Sequence, residues 1–307
     1  MEYLNRTARP PLPDWVVALA GRARQLRTPC CAGSMVWRVW ESVAGGTAQP
    51  PLVLLHGGSG SWLHWVRNID ALLATGRSVW VPDLPGFGDS DPPPVGSDAD
   101  ALVLPLAQGL AGLFEGRACD LVGFSFGGLV AGLLLAEHPA LARQLVLVGA
   151  PAMGVVPRRQ FELLAWRHLA AQEQLRVHRH NLAALMLADP AAIDADGGLA
   201  LAVHVANVMR DRMPRRRLAH TDALARALPQ VACPVHAIYG RADALYKSWI
   251  GELEGAYARA TPDFRGLQLI EGAGHWVQFE QAAALQHALL AALRAGAPAP
   301  DRDTSGR

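Results

Sequence analysis

Short aliphatic and β-branched runs recur along the chain with helix-length segments between them. That alternation predicts a mostly parallel sheet flanked by helices, an α/β fold. Residues 35–42 alternate in strand fashion until Gly45-Gly46 breaks the run. Residues 52–55 are continuously apolar and end at His56-Gly57-Gly58, and 78–81 form a similar run stopped by Pro82-Asp83. The segments 120–124, 144–148, 235–239 and 267–270 repeat the theme. Continuously apolar strands are buried on both faces, so helices must cover both sides of the sheet. The helix candidates are 63–74, 100–113, 126–137 and 275–294, with His138-Pro139 closing the third at a natural helix stop.

From 151 to 229 the alternation fails. This stretch reads as helical throughout, over 161–181 and 199–210 for example, and contains no strand-like run. It is locally basic, with Arg158, Arg159, Arg176, Arg179 and the run Arg215-Arg216-Arg217 beside His168, His178, His180, His204 and His220. A helical insertion after a core strand predicts a cap over the sheet, its charges mostly a solvated face. The expected layout is an N-terminal arm over 1–33 and a core over 34–150 and 230–295. A helical cap occupies 151–229, and the Pro/Ala-rich, then polar 296–307 is a disordered tail.

Composition narrows the function classes. The chain has 307 residues, 51% of them hydrophobic, enough for a large core. Its 28 Lys and Arg against 27 Asp and Glu leave a net charge of +1, no electrostatic footprint for nucleic acid. No run approaches the roughly 20 apolar residues that span a bilayer. The apolar 15–20 segment falls short of the roughly 7–15 residues of a signal-peptide core. The expectation is a cytoplasmic protein with no membrane insertion, its oligomeric state left open. The cysteines, Cys30, Cys31, Cys119 and Cys233, match neither a metal-ligand spacing nor a disulfide framework. Cys119 and Cys233 read as buried thiols. No metal and no organic cofactor is implied.

The strongest chemical signal is Gly123-Phe124-Ser125-Phe126-Gly127-Gly128, between a predicted strand and a predicted helix. A serine on so sharp a turn needs small residues two places before and after it, and the turn lifts its hydroxyl out of the sheet edge. A serine hydroxyl near neutral pH needs a base. His275, in Glu271-Gly272-Ala273-Gly274-His275-Trp276, lies in a glycine-flanked loop after the last strand, where ligand sites of open α/β sheets gather. Asp243, three residues past the strand ending at Tyr239, is the candidate to hold the other imidazole nitrogen. The order Ser, Asp, His is that of this nucleophile-elbow architecture.

An oxyanion needs donors, each worth about 3–4 kcal/mol of barrier. The backbone N–H groups of Gly58 and Phe126 are assigned to it, with Ser59 as fallback for the first. A phosphate cradle is excluded because no Gly-Lys-Ser/Thr follows the run His56-Gly57-Gly58-Ser59-Gly60; Trp62, His64 and Trp65 come next. His56 reads as a turn residue, and Asp83 and Asp89 as turn anchors. Ser59, Phe124, Trp62 and Trp276 are pocket candidates, with Trp65 and Trp166 behind them; core packing accounts for each tryptophan equally well.

Together the blocks His56-Gly57-Gly58, Asp83-Leu84-Pro85-Gly86-Phe87-Gly88-Asp89-Ser90, Gly123 to Gly128, Gly240 to Asp243 and Gly274-His275 resemble the α/β-hydrolase superfamily from about Ser34 to Leu293. The resemblance implies an eight-stranded, mostly parallel sheet with a helical cap inserted after the sixth strand. Epoxide hydrolases and haloalkane dehalogenases of this fold use an aspartate where this chain has Ser125. The stretch 274–280 is similar to the histidine loop of meta-cleavage-product hydrolases, which split a carbon–carbon bond in dienoates. Those enzymes usually carry Asn-Ser-Met at the elbow, whereas this chain has Phe124-Ser125-Phe126. The first expectation is therefore a serine hydrolase of a small-molecule ester. Cleavage of a ketone's C–C bond comes second, and a non-catalytic receptor on the same scaffold third.

Overall fold

The apolar runs pair side by side. The computed structural model describes residues 10–30, 32–42, 49–93, 95–157, 161–213 and 215–295. Its strands are β1 (Arg24–Cys30), β2 (Gly33–Trp40), β3 (Leu52–Leu55), β4 (Val79–Pro82), β5 (Cys119–Phe124), β6 (Ala142–Val148), β7 (Val235–Gly240) and β8 (Phe264–Ile270). They form one eight-stranded sheet in the order β1-β2-β4-β3-β5-β6-β7-β8. β2 is antiparallel to both its neighbours, and every other pairing is parallel. This is the mostly parallel α/β sheet that the sequence predicts.

The helices are α1 (Asp14–Gly21), α2 (Ile69–Leu73), α3 (Val103–Phe114), α4 (Phe126–Glu137), α5 (Ala171–Leu185), α6 (Ala195–Val208), α7 (Ala223–Ala227), α8 (Leu253–Ala260), α9 (Val277–Glu280) and α10 (Ala282–Ala295). They cover both faces, and the two-residue period of a strand divides the core accordingly. Leu121 and Leu145 pack with Leu106, Leu110 and Leu129 of α3 and α4. Val122 and Val146 pack on the other side with Trp65, Leu285 and Leu289. Cys119 and Cys233 are buried, and burial pushes their thiols up to about 12 and about 11. No helix among the described residues is long and apolar enough to cross a membrane.

Three boundaries differ from expectation. Within the predicted arm, residues 24–30 form β1, paired with β2 from Arg24↔Val39 to Cys30↔Gly33. Its polar residues obscured it, and they are the charges that keep an exposed edge from pairing with another chain. The helix expected from 161 begins at Ala171, because the Asn181 carboxamide bonds both the N–H and the carbonyl of Leu164 and holds 161–170 irregular. The long C-terminal helix starts at Val277 and breaks at Gln281, between α9 and α10. The expected tail, Gly45-Gly46, Arg158, Arg159 and Cys31 lie outside the described residues.

Candidate active site

Ser125 is the single residue between β5 and α4, with φ 50° and ψ −120°, a conformation that costs a non-glycine residue energy. Its N–H donates to the Val148 carbonyl at 2.7 Å, which fixes the turn to the neighbouring strand. A Cβ on Gly123 would stand 2.6 Å from the Gly127 carbonyl oxygen, and one on Gly127 would stand 2.4 Å from that of His56. Backbone fills the space on both sides, so the turn closes only with glycine there. Phe126 opens α4, where the first amides of a helix have no intrahelical partner.

β8 delivers the loop with His275, and β7 delivers Asp243. The His275 Nε2 is 2.8 Å from the Ser125 Oγ, and its Nδ1 is 2.9 and 3.0 Å from the two Asp243 oxygens. Both side chains are buried. Asp243 also accepts the Leu245 N–H at 2.9 Å, which holds the carboxylate. Gly149, at φ 57°, leaves the room this needs: a Cβ there would lie 3.3 Å from the His275 ring and 3.4 Å from Asp243 Oδ2. With the carboxylate on Nδ1, Nε2 faces the hydroxyl with its lone pair, the geometry for taking a proton.

The loop after β3 lies against the serine. A Cβ on Gly57 would be 2.9 Å from the Phe124 ring and 3.1 Å from the Ser125 Cβ. His56 Nε2 accepts the Leu84 N–H at 2.8 Å, so its Nδ1–H points to the Gly57 carbonyl, also at 2.8 Å. It braces the turn, as its sequence context suggests. Asp83 accepts the N–H groups of Trp62 and Asp89 and pairs with Arg38, so it too anchors a turn.

Two residues that the sequence did not place at the site complete this loop: His64, and Arg216 from the basic run expected to face solvent. His64 Nδ1 accepts the Gly57 N–H at 3.2 Å, and burial holds its imidazole well below 6.5, in the neutral form that can accept. A Cβ on Gly60 would come within 2.4 Å of the His64 ring, so the glycine makes its room. Arg216, from the stretch between α6 and α7, donates to Ser59 Oγ at 2.9 Å and to Asp211 at 2.8 Å. Its Cδ lies 3.1 Å from where a Gly58 Cβ would be. A run of three arginines carries no mark of which one turns inward.

Ser125 opens into a cavity of about 660 Å³ between the strand ends and the 161–220 segment. Gly58, Ser59, Phe124, Phe126 and His275 line it, with Leu163, Trp166, Leu185, Met186 and Val208 as apolar wall. The pocket assignments of Trp62 and Trp276 are corrected: both are buried in the core and neither lines the cavity. Trp62 packs on Trp40 with ring centroids 5.5 Å apart. Trp276 stacks on Phe279 at 4.1 Å and donates to the His64 carbonyl at 3.1 Å. They support the site loops from below.

Burial of histidines has a consequence for stability. It lowers His178 to about 4 and His204 to about 3, from the ordinary 6.5. Between about pH 6.5 and pH 4 the unfolded chain therefore binds more protons than the folded one, and stability falls as pH falls. Melting temperature should decline steadily through that window, and His178→Phe should flatten the slope. A variant with an unchanged slope would show that His178 does not carry it.

The family model for alpha/beta hydrolases matches residues 52–288. A 2-hydroxymuconate semialdehyde hydrolase from Pseudomonas sp. (strain CF600) is 29% identical over 247 residues, 76% of this chain and 83% of that protein. A pimeloyl-(acyl-carrier protein) methyl ester esterase from Aeromonas hydrophila is 29% identical over 222 residues, 64% of this chain and 78% of that protein. Among solved structures, an esterase from Rhodococcus sp. superposes with a TM-score of 0.71 at 22% identity, over 90% of this chain and 100% of the other. A meta-cleavage product hydrolase from Pseudomonas fluorescens IP01 does so with 0.69 at 20% identity, over 89% and 98%. At such identities the superpositions speak to the fold alone. With the family matched across 52–288, a span that includes Ser125, Asp243 and His275, this chain belongs to the alpha/beta hydrolase family.

Proposed function

We propose that the protein is a serine hydrolase that cleaves a carboxylic ester of a small to medium, partly apolar substrate through an acyl-enzyme on Ser125. The observation that carries this reading is the unbroken contact from Ser125 Oγ through His275 to Asp243 at the floor of a cavity of about 660 Å³, a volume suited to such a ligand. Ser125 Oγ bonds to the ester carbonyl carbon as its proton passes to His275 Nε2, and Asp243 steadies the imidazolium. The N–H groups of Gly58 and Phe126 hold the oxyanion. The C–O bond to the alcohol then breaks, and the alcohol departs with the proton from His275. Water, deprotonated by the same imidazole, attacks the acyl-enzyme, releases the acid and restores the serine. The helical segment between β6 and β7 acts as the cap, setting the shape of the pocket above Ser59 and Phe124.

A second reading, hydrolysis of a C–C bond in a dienoate ketone, is favoured by the relationship to the 2-hydroxymuconate semialdehyde hydrolase. It uses the same serine, but the carbon leaving group must be protonated before it departs. Phe124, beside the nucleophile, offers no hydrogen-bonding group to help hold such a substrate. The test is to give the purified protein p-nitrophenyl acetate, butyrate and octanoate in parallel with a 2-hydroxy-6-oxodienoate. Ester kcat/KM should exceed that for the dienoate by about 100-fold or more. The reverse ranking would replace the ester reading with the C–C one.

A further inference from the structure

Two histidines in the wall of the cavity carry buried ring nitrogens that have no hydrogen-bond partner among the described residues. His178, on α5, is fully buried, and among the described residues neither of its ring nitrogens meets a hydrogen-bonding group; the buried Nε2 of His204, on α6, meets none there either. The two rings meet edge to face, with centroids 5.4 Å apart, and both residues line the cavity that holds Ser125. Trp166 also packs against His178, with ring centroids 4.6 Å apart, from the irregular 161–170 segment. A leucine or phenylalanine would fill either place without stranding a polar group. Buried polar atoms left unpaired cost stability, and a ligand that supplies the missing partner is a physical reason for keeping them.

The chemistry of the pair narrows that partner. Burial keeps both imidazoles neutral, so each carries one N–H and one lone pair. Acting together, they can donate to an oxygen and accept from it. A hydroxyl group uses both. A carbonyl oxygen uses only the donor, and a carboxylate brings a charge to two groups that carry none.

We infer that His178 and His204 form a subsite for a hydroxyl group that the substrate carries away from its scissile carbonyl. The inference rests on the reading of Ser125 as the nucleophile of an esterase. Trp166 must shift as the hydroxyl enters, and the 161–170 segment that carries it belongs to no helix or strand. The preferred substrates are then hydroxylated esters, with the remaining chain against Leu163, Leu185, Met186 and Val208.

The test compares matched pairs of esters that differ only in a terminal hydroxyl. One series places it on the acyl chain, as p-nitrophenyl ω-hydroxyalkanoates from butanoate to decanoate against the plain alkanoates. A second places it on the alcohol, as hydroxyalkyl against alkyl butyrates. At the chain length that reaches the pair, kcat/KM should favour the hydroxylated ester by about tenfold or more in one series. His178→Leu and His204→Leu should each bring that ratio to one or below, and either suffices if the other fails to fold. Calorimetric binding of the same pairs to Ser125→Ala reads the subsite without turnover. No hydroxyl preference in that binding, or a preference unchanged in both leucine variants, overturns the inference. Ser125-dependent turnover alongside that result leaves the esterase reading standing. Hydroxyl-selective binding with no ester turned over by the wild type would support the subsite and remove the esterase reading instead.

Discussion

Ser125→Ala should lower kcat on p-nitrophenyl butyrate by about 10⁴-fold or more, with a melting temperature within about 2 °C of wild type. The size of the loss follows from what is removed. In the proposed mechanism the Ser125 Oγ is the atom that bonds to the substrate, and it sits 2.8 Å from His275 Nε2, the base assigned to activate it. Alanine keeps the Cβ, the strained turn and the N–H bond to Val148, so the fold loses only a hydroxyl that faces the cavity. His275→Ala should match it, because a serine without its base is barely nucleophilic. The double variant should be no worse than either alone, as expected of groups that act as a unit. Asp243→Asn should cost less, about 10²- to 10⁴-fold, since it leaves both reacting groups in place and disturbs only the tautomer and charge of the imidazole. Initial rates and thermal melts on the same preparations check all of these. Wild-type turnover in Ser125→Ala would remove the mechanism outright.

These residues were legible in the sequence because the chemistry and the chain path demand the same local pattern. A serine at a strand-to-helix turn requires glycine where a Cβ would strike the backbone, and Gly123 and Gly127 stand there. The central strands were legible for a similar reason, since burial on both faces leaves only apolar residues over 52–55 and 120–124 apart from Asp120. Asp120 itself shows where reading stops. It is fully buried and held by Arg77 and Arg143, partners 43 and 23 residues away that no local pattern connects to it. Arg216 reaches Ser59 across 157 residues of sequence for the same reason. β1 went unread because an edge strand carries charge on purpose, so its periodicity is blurred by Arg24, Gln25 and Arg27. Trp62 and Trp276 flank site loops, yet their side chains turn into the core; adjacency along the chain does not say which way a ring points.

Gly240→Ala should reduce kcat by about 100-fold and lower the melting temperature as well, although Gly240 does not line the cavity. Gly240 ends β7, and a Cβ on it would stand 2.0 Å from the Gly274 carbonyl oxygen, 2.4 Å from that of Ala273 and 2.7 Å from the Ala273 carbonyl carbon. All three are backbone atoms, so no side chain can swing aside. The contact must open by about 1 Å before it resembles an ordinary Cβ–oxygen approach. The displaced segment is the one that carries His275, and it is stitched to the Asp243 loop at this very point. The Ala242 N–H donates to the Ala273 carbonyl at 3.0 Å, and the Asp243 N–H to that of Gly240 at 3.1 Å. A methyl group inserted there forces apart the strand end that leads to Asp243 and the loop that carries His275. A shift of about 1 Å between reacting groups is enough for the predicted loss of rate. Overpacking of this kind costs about 1–3 kcal/mol, or several degrees in a domain of this size. Gly112→Ala is the matched control: its added Cβ meets nothing within 4 Å on α3, so both measurements should stay near wild type. Full turnover in Gly240→Ala would mean that the His275–Asp243 geometry is set elsewhere in the two loops.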